Sequence, residues 1–392
     1  MGKEVPLMPW KETCAMDQRV RLIGDWLSKG YSITELSEMY GVSRNTVYKW
    51  IGRYERDGLE SLKERARAPL NHPNATPRDI ADIIIRAKLE HERWGPRKLL
   101  AWLEEQHPDH RWPAASTAGE ILKKVGLVRA RKRRHRTPPY AEALEPCQRP
   151  NQVWSADYKG QFRTGDGKLC YPLTMTDNYS RYVLECRALS HPTYEETQPW
   201  FEKAFRKYGI PEAIRTDNGS PFASVALGGL SRLSVWFIKL GIRPERIEPG
   251  HPEQNGRHER MHRTLKEETA NPPKGDKQEQ QEAFDRFVNH YNNERPHEAL
   301  GQKPPASVYR PSWKPYPDRI PKVDYPGNVE VRHVRQNGEI KWKGEFIYVS
   351  ESLAGEPVAL KQKDEGIWEV RFSFHPLGLL DEWKNRILPT RL

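Results

Sequence analysis

Gln152-Val153-Trp154-Ser155-Ala156-Asp157-Tyr158 reads as a strand with an acid close to its end. Farther along, the run Ala213-Ile214-Arg215-Thr216 stops at Asp217, and Asn218-Gly219 behind it signals a turn. A third acid, Glu259, closes His251-Pro252-Glu253-Gln254-Asn255-Gly256-Arg257-His258-Glu259 and opens a long helical pattern. Carboxylates at strand ends and on an adjacent helix can converge on one point. Hard divalent cations take all-oxygen sites, and two such ions roughly 3.5–4 Å apart drive phosphodiester chemistry. A lone Asp in any chain is by default a surface acid. Here the contexts Asp-Asn-Gly and Pro-x-x-Asn-Gly-x-x-Glu set the three acids apart from that default.

Around these acids the pattern is strand-rich. Strands are expected over 153–162, 169–176 and 181–187, with Gly165-Asp166-Gly167-Lys168 as a hairpin turn between the first two. A helix over 193–208 carries Trp200, Ala204 and Phe205 on one face, and a fourth strand follows over 212–216. Three meandering strands, a helix, another strand and further helices describe a ribonuclease-H-like α/β core. Two other acids read as turn residues: Asp177, in a turn between two strands where Asp and Ser make local bonds to the backbone, and Asp166, facing solvent. His251, His258 and His262 lie near Glu259, but hard oxygen sites do not need imidazole, so DNA contact or packing is expected of them.

The three acids and their flanks resemble the catalytic core of the retroviral integrases and the related insertion-sequence transposases, the DDE recombinases. The resemblance covers 151–310 and continues through His290-Tyr291-Asn292-Asn293-Glu294-Arg295-Pro296-His297. It implies two Mg²⁺ ions, with Mn²⁺ able to substitute. Asp157 would bridge both ions, Asp217 would hold one and Glu259 the other. The nucleophile would be a water or a DNA 3′-hydroxyl, with no covalent protein intermediate. Glu253 competes with Glu259, because 35 residues (218–252) separate it from Asp217, the spacing that names the retroviral pattern. Pro252 and Asn255-Gly256 put Glu253 in a loop, whereas 257–269 reads as a helix. On that helix Glu259, Arg263 and Lys266 fall at i, i+4 and i+7, which sets a metal-binding carboxylate beside two cations suited to DNA phosphates.

The flanks read as DNA-binding and accessory domains. In 1–68, helices are expected over 17–29, from Thr34-Glu35-Leu36 to Gly41, and over 44–55 with Ser43 as cap. This is the helix-turn-helix pattern, and it would present Arg44, Asn45, Thr46 and Lys49 to a major groove. A plain three-helix bundle would show the same periodicity; the basic, amide-bearing face favours DNA. A second helical unit over 76–128, with helices over 79–92, 97–105 and 116–125, looks like a more divergent helix-turn-helix that sets Arg97 and Lys98 at a helix start. A linker over 129–150 holds Arg131, Lys132, Arg133 and Arg134 among six cations in eight residues (129–136), an exposed arm suited to phosphates. At the far end, short strands over 328–334, 339–349, 356–362 and 367–372 suggest a small antiparallel β-barrel over 327–392, SH3-like in the family's usual pattern. It could touch DNA, through Arg332, His333, Arg335 and Lys341, or another subunit.

Bulk properties agree with this reading. The 392-residue chain carries a formal net charge of +11, which points to a polyanionic partner. It lacks an apolar run of about 18 residues that could span a membrane, and its N-terminus lacks a signal-peptide pattern. Its four cysteines form no Cys-x-x-Cys pair and no structural zinc is expected, so the expectation is a cytoplasmic protein of a prokaryotic cell, associated with the nucleoid when on DNA. The reading is a multidomain DNA transposase: all-α helix-turn-helix units, a ribonuclease-H-like integrase core and a C-terminal barrel. It would act as a homo-oligomer on double-stranded DNA, binding element ends and cutting and joining strands. Its rivals are a non-catalytic helix-turn-helix regulator derived from a transposase and a nuclease that cuts without joining.

Overall fold

A computed structural model describes residues 14–64, 75–128, 147–224, 227–248 and 252–388. The chain divides into two compact units, one up to Ala75 and one from Thr76 onward. No helix among the described residues is long and apolar enough to cross a membrane.

The first unit is three helices, α1 (Ala15–Leu27), α2 (Ile33–Met39) and α3 (Arg44–Asp57). The α2 start is a capping box that the motif reading placed too late. Ser32 Oγ accepts the Glu35 N–H at 3.3 Å, and the Glu35 carboxylate takes the Ser32 N–H at 2.7 Å. Gly41, at φ +61°, makes the left-handed turn into α3, whose cap is Ser43. Leu36, Val47 and Leu62 close the small core completely, with Ile23, Trp50 and Ile51 around them. That packing leaves Arg44, Asn45 and Lys49 on the outside of α3.

The second unit begins with α4 (Arg78–Glu90), α5 (Pro96–Gln106) and α6 (Ala115–Lys124), closed around Ile84, Trp94, Leu99 and Leu103. The core follows: β1 (Val153–Tyr158), β2 (Phe162–Arg163), β3 (Leu169–Asp177), β4 (Val183–Leu189), α7 (Tyr194–Tyr208), β5 (Ala213–Thr216), α8 (Arg232–Lys239), β6 (Arg243–Arg246), α9 (Gly256–Thr269) and α10 (Lys277–Asn293). The strand expected over 153–162 breaks at Lys159-Gly160-Gln161, where Gly160 takes φ +70°. β3 runs antiparallel between β1 and β4, while β5 lies parallel to β1 and β6 parallel to β5. This is the ribonuclease-H-like arrangement expected from the order of elements.

Alternation along the strands decides what reaches each face. Trp154, Ala156, Leu173 and Met175 pack against Phe201, Phe205, Trp236 and Phe237 of α7 and α8. The residues between them, Ser155, Asp157, Thr174 and Thr176, therefore turn to the other face. There α9 and α10 bring Met261, Leu265, Phe284 and Phe287 against Cys170, Val183 and Cys186.

At the C-terminal end, β7 (Glu330–His333), β8 (Glu339–Trp342), β9 (Glu345–Tyr348), β10 (Pro357–Asp364), β11 (Ile367–Phe372), β12 (His375–Asp381) and β13 (Arg386–Leu388) are all antiparallel to their partners. They form a five-stranded sheet in the order β13-β12-β11-β10-β7 and a separate β8–β9 hairpin. Among the described residues no strand pairing joins β7 to β13, so the expected SH3-like barrel is not closed. The single strand expected over 339–349 folds back on itself, because Lys343 and Gly344 both take positive φ (+46° and +98°). Leu230 and, on α8, Val235 and Ile238 belong to the apolar core of this sheet. Helix α8 is thus buried on two sides, and it ties the C-terminal sheet to the integrase-like core.

Candidate active site

Asp157 lies near the end of β1, opposite Thr174 of β3. Asp217 directly follows β5. Ser155 and Arg215 are partners in the parallel β1–β5 ladder, so Asp157 and Asp217 each stand two residues beyond that pair, on the same face. The Asp217 Oδ1 accepts the Gly219 N–H at 3.1 Å, and Asn218 Nδ2 donates to the Ile247 carbonyl at 2.9 Å. A Cβ at position 219 would sit 3.0 Å from Asp217 Oδ2, so a larger residue there would press on that carboxylate. Glu259 is exposed in the first turn of α9.

The Asp157 carboxyl feels the other two. Burial, and then the charge of Asp217, push the Asp157 carboxyl up to about 7. Glu259 adds to the rise, and the Tyr158 N–H and Lys159 oppose it. Such crowding of oxygen donors is the condition that a divalent cation relieves, so the donor set fits one. Asp177, as expected, is a turn acid: its Oδ2 accepts from the Ser180 N–H and hydroxyl at 2.7 and 2.6 Å, and its Oδ1 from the Asn151 N–H at 2.7 Å. Asp166 also stays in its own turn, accepting from Thr164 and Lys168, which hold it down to about 2.

Beneath Asp157 lies a buried polar cluster. Thr174 Oγ1 contacts His258 Nε2 at 2.7 Å, His262 Nε2 at 2.6 Å and the Asp157 carbonyl at 3.1 Å. Thr176 Oγ1 meets His258 Nδ1 at 2.9 Å. Burial lowers the pKa of both rings, that of His258 to about 3, and so favours their neutral forms. These histidines are therefore not surface DNA contacts; they are packed, and His262 Nδ1 lies 3.7 Å from Asp157 Oδ2. Lys159 was also passed over, although it lies two residues beyond Asp157 and its charge reaches both Asp157 and His262. The available signal was the i, i+4 spacing of His258 and His262 on the helix that carries Glu259.

The residues expected at DNA are differently placed. Arg44, Asn45 and Lys49 are exposed, whereas Thr46 is half-buried and its hydroxyl meets Ser43 Oγ at 2.9 Å within the cap. Arg263 and Lys266 are exposed on α9. Arg97 is exposed but pairs with Glu298 at 3.3 Å. Lys98 does not stand free at a helix start. It is half-buried, and burial followed by the Arg295 charge lowers it to about 8, with Glu268 and Glu298 acting against that fall. Nearby, Arg93 reaches Glu267 at 2.8 Å, and His91 stacks on Trp94 and His290, with ring centres 4.0 and 5.3 Å away. The Arg97 and Lys98 end of the helical unit thus faces the core. Arg131, Lys132, Arg133, Arg134 and the side chains of His251 and Glu253 lie outside the described residues.

Integrase core domain families match residues 148–252 and 240–305. A helix-turn-helix domain matches 18–69, a homeodomain-like domain 46–122, and the C-terminal domain of the IS481 family transposases 329–387. The chain is similar to the uncharacterized 31.7 kDa protein of insertion element IS407 from Burkholderia multivorans, at 27% identity over 60% of this chain and 83% of that one. It is similar to the 39.2 kDa protein of insertion element IS476 from Xanthomonas euvesicatoria, at 26% identity over 60% of this chain and 65% of that one. Among solved structures, the HTLV-2 integrase catalytic core domain in complex with magnesium matches at 18% identity over 41% of this chain and 97% of that chain, with a TM-score of 0.32. Helix-turn-helix, integrase core and IS481-type C-terminal domains follow one another along this chain, which supports an insertion-sequence transposase of the integrase superfamily that binds DNA.

Proposed function

We propose that Asp157, Asp217 and Glu259 hold two divalent cations, Mg²⁺ with Mn²⁺ able to substitute, and that this site cuts element ends and joins them to target DNA. One observation carries the proposal: Asp157 is half-buried near the end of the central strand β1, on the same face as Asp217, and burial, then the charge of Asp217 and more weakly that of Glu259, raise its pKa. A structural carboxylate gains nothing from such neighbours, whereas a cation-binding one needs them.

When bound, the cations would lower the pKa of a water or a 3′-hydroxyl and offset charge growing at the phosphorus. Asp157 would offer oxygens to both cations, Asp217 would hold one and Glu259 the other. Arg263 and Lys266 offer their charges to the DNA backbone on the exposed face of α9. Arg44, Asn45 and Lys49 face outward from α3 and are suited to reading the element end. Two ends must be brought together for joining, so the working form is a homo-oligomer on DNA.

The test is a labelled element-end duplex mixed with a plasmid target and Mg²⁺. Exhaustive chelation with EDTA should remove both cleavage and joining while leaving end binding in place. Cleavage that survives chelation would overturn the proposal.

A further inference from the structure

The buried cluster under Asp157 has a proton arrangement that follows from its contacts. Thr174 Oγ1 carries one proton and two lone pairs, and it has three polar neighbours. One of them, the Asp157 main-chain carbonyl at 3.1 Å, can only accept, so the hydroxyl proton goes there. Both Thr174 lone pairs then receive N–H donors, His258 Nε2 at 2.7 Å and His262 Nε2 at 2.6 Å. His258 is complete in this state, because its Nδ1 accepts the Thr176 hydroxyl at 2.9 Å. His262 is not. Its ring proton is spent on Nε2 toward Thr174, which leaves the lone pair of Nδ1 facing Asp157 Oδ2 across 3.7 Å.

Two electron-rich atoms facing each other repel unless something positive lies between them. The gap is too long for a hydrogen bond. It is close to the spacing of two donors on one cation, which stand roughly 3–3.5 Å apart when each is about 2.1 Å from the ion. The His262 side chain is only 4% exposed, and its ring is held by Thr174, so the lone pair's direction is built in. The other nitrogens of the cluster are already engaged, which excludes His258 from the same role.

We infer that His262 Nδ1 is a nitrogen ligand of the cation that Asp157 holds, so that the site is a mixed oxygen and nitrogen site. This rests on the carboxylate reading above and adds a fourth donor to it. A nitrogen donor weakens the advantage of Mg²⁺, which keeps to oxygen, and favours Mn²⁺ and the later divalent ions.

The test uses the full-length chain with stoichiometric Mn²⁺ and electron spin echo spectroscopy. Wild type should show modulation from a directly bound ¹⁴N, changing to the ¹⁵N pattern when only histidine is labelled. His262→Asn should lose that signal, and its preference for Mn²⁺ over Mg²⁺ should fall about tenfold. Should that variant fail to fold, the labelled wild type still decides whether a histidine is bound, and His258→Asn, which should keep the signal, identifies which one. Mn²⁺ that binds, is lost in Asp157→Asn, and shows no histidine coupling would overturn the inference and leave the carboxylate site standing. A coupling that persists in His262→Asn would overturn it as well. Absence of any Mn²⁺ binding that depends on Asp157 would overturn the carboxylate reading and the inference together.

Discussion

Asp157 and Asp217 lie on the same face at the ends of neighbouring strands, yet they are held in opposite ways. Asp157 sits on a strand paired on both sides, over a cluster in which Thr174 and Thr176 engage both nitrogens of His258 and the Nε2 of His262. Asp217 has left its strand, and it is held by its own turn through the Gly219 N–H and by Asn218 reaching the Ile247 carbonyl. One wing is braced by contacts between distant segments, the other by residues next to it in the chain. A tertiary brace sets a position rigidly and makes its acid expensive to ionise. A local turn sets a direction and leaves the acid close to solvent.

The largest expected effects test whether the wings share one chemistry. Asp157→Asn and Asp217→Asn should each take cleavage and joining to background in a labelled-end assay, with end binding kept. Their stabilities should differ. Without cations, Asp157→Asn should raise Tm at pH 8, because it removes a charge that the fold disfavours, and Asp217→Asn should do so far less. Equal Tm shifts would mean that burial does not distinguish the wings.

The next effect is the pH dependence of Asp157. Its carboxyl rises from an ordinary 3.8 to about 7 on folding. The folded state thus holds a proton that the unfolded state gives up, and the apo protein loses stability as pH rises from about 4 to about 7. Cations compete with that proton. The Tm increase on adding Mn²⁺ should be full at pH 8 and fade as pH falls below 7, read by scanning calorimetry. A Mn²⁺ effect of the same size at pH 5 would contradict the assignment.

A smaller pair compares the braces themselves. Thr174→Val leaves two buried N–H donors without an acceptor and should cost about 1–3 kcal/mol in denaturant unfolding. Asn218→Ala removes one bond at an exposed position and should cost no more than about 1 kcal/mol. The reverse order would mean that the cluster is not a brace. Smallest of all, Ser32→Ala should cost about 1 kcal/mol through the lost cap of α2, with no effect on cleavage.

The same division explains how far the sequence could be read. The Asp217-Asn218-Gly219 turn, the Gly41 turn, the Ser43 cap and the start of α9 are local signals, and each was visible in a window of a few residues. The roles of His258 and His262 were not, because their partner Thr174 lies 84 and 88 residues away. Helix α8 escaped because it is only two turns long and its residues 233–238 are all buried, against the core on one side and the C-terminal sheet on the other, which depends on contacts no local window holds. Strand β6 escaped because Arg243-Pro244-Glu245-Arg246 is polar and carries a proline. It is an edge strand held by β5, where the half-buried pair of Arg215 and Glu245 meets at 3.0 Å. The strands expected at the C-terminus are present but no closed barrel is confirmed among the described residues, for the same reason: strand spacing is legible locally, whereas closure depends on which edges meet.

The central claim is that the third carboxylate comes from the first turn of α9 and not from the loop before it. The most direct test measures nicking and joining of a labelled element end, with Mg²⁺, by Glu259→Gln and Glu253→Gln side by side. The account predicts that Glu259→Gln binds the end yet neither nicks nor joins it, while Glu253→Gln keeps most of both activities. Activity retained in Glu259→Gln and lost in Glu253→Gln would contradict it.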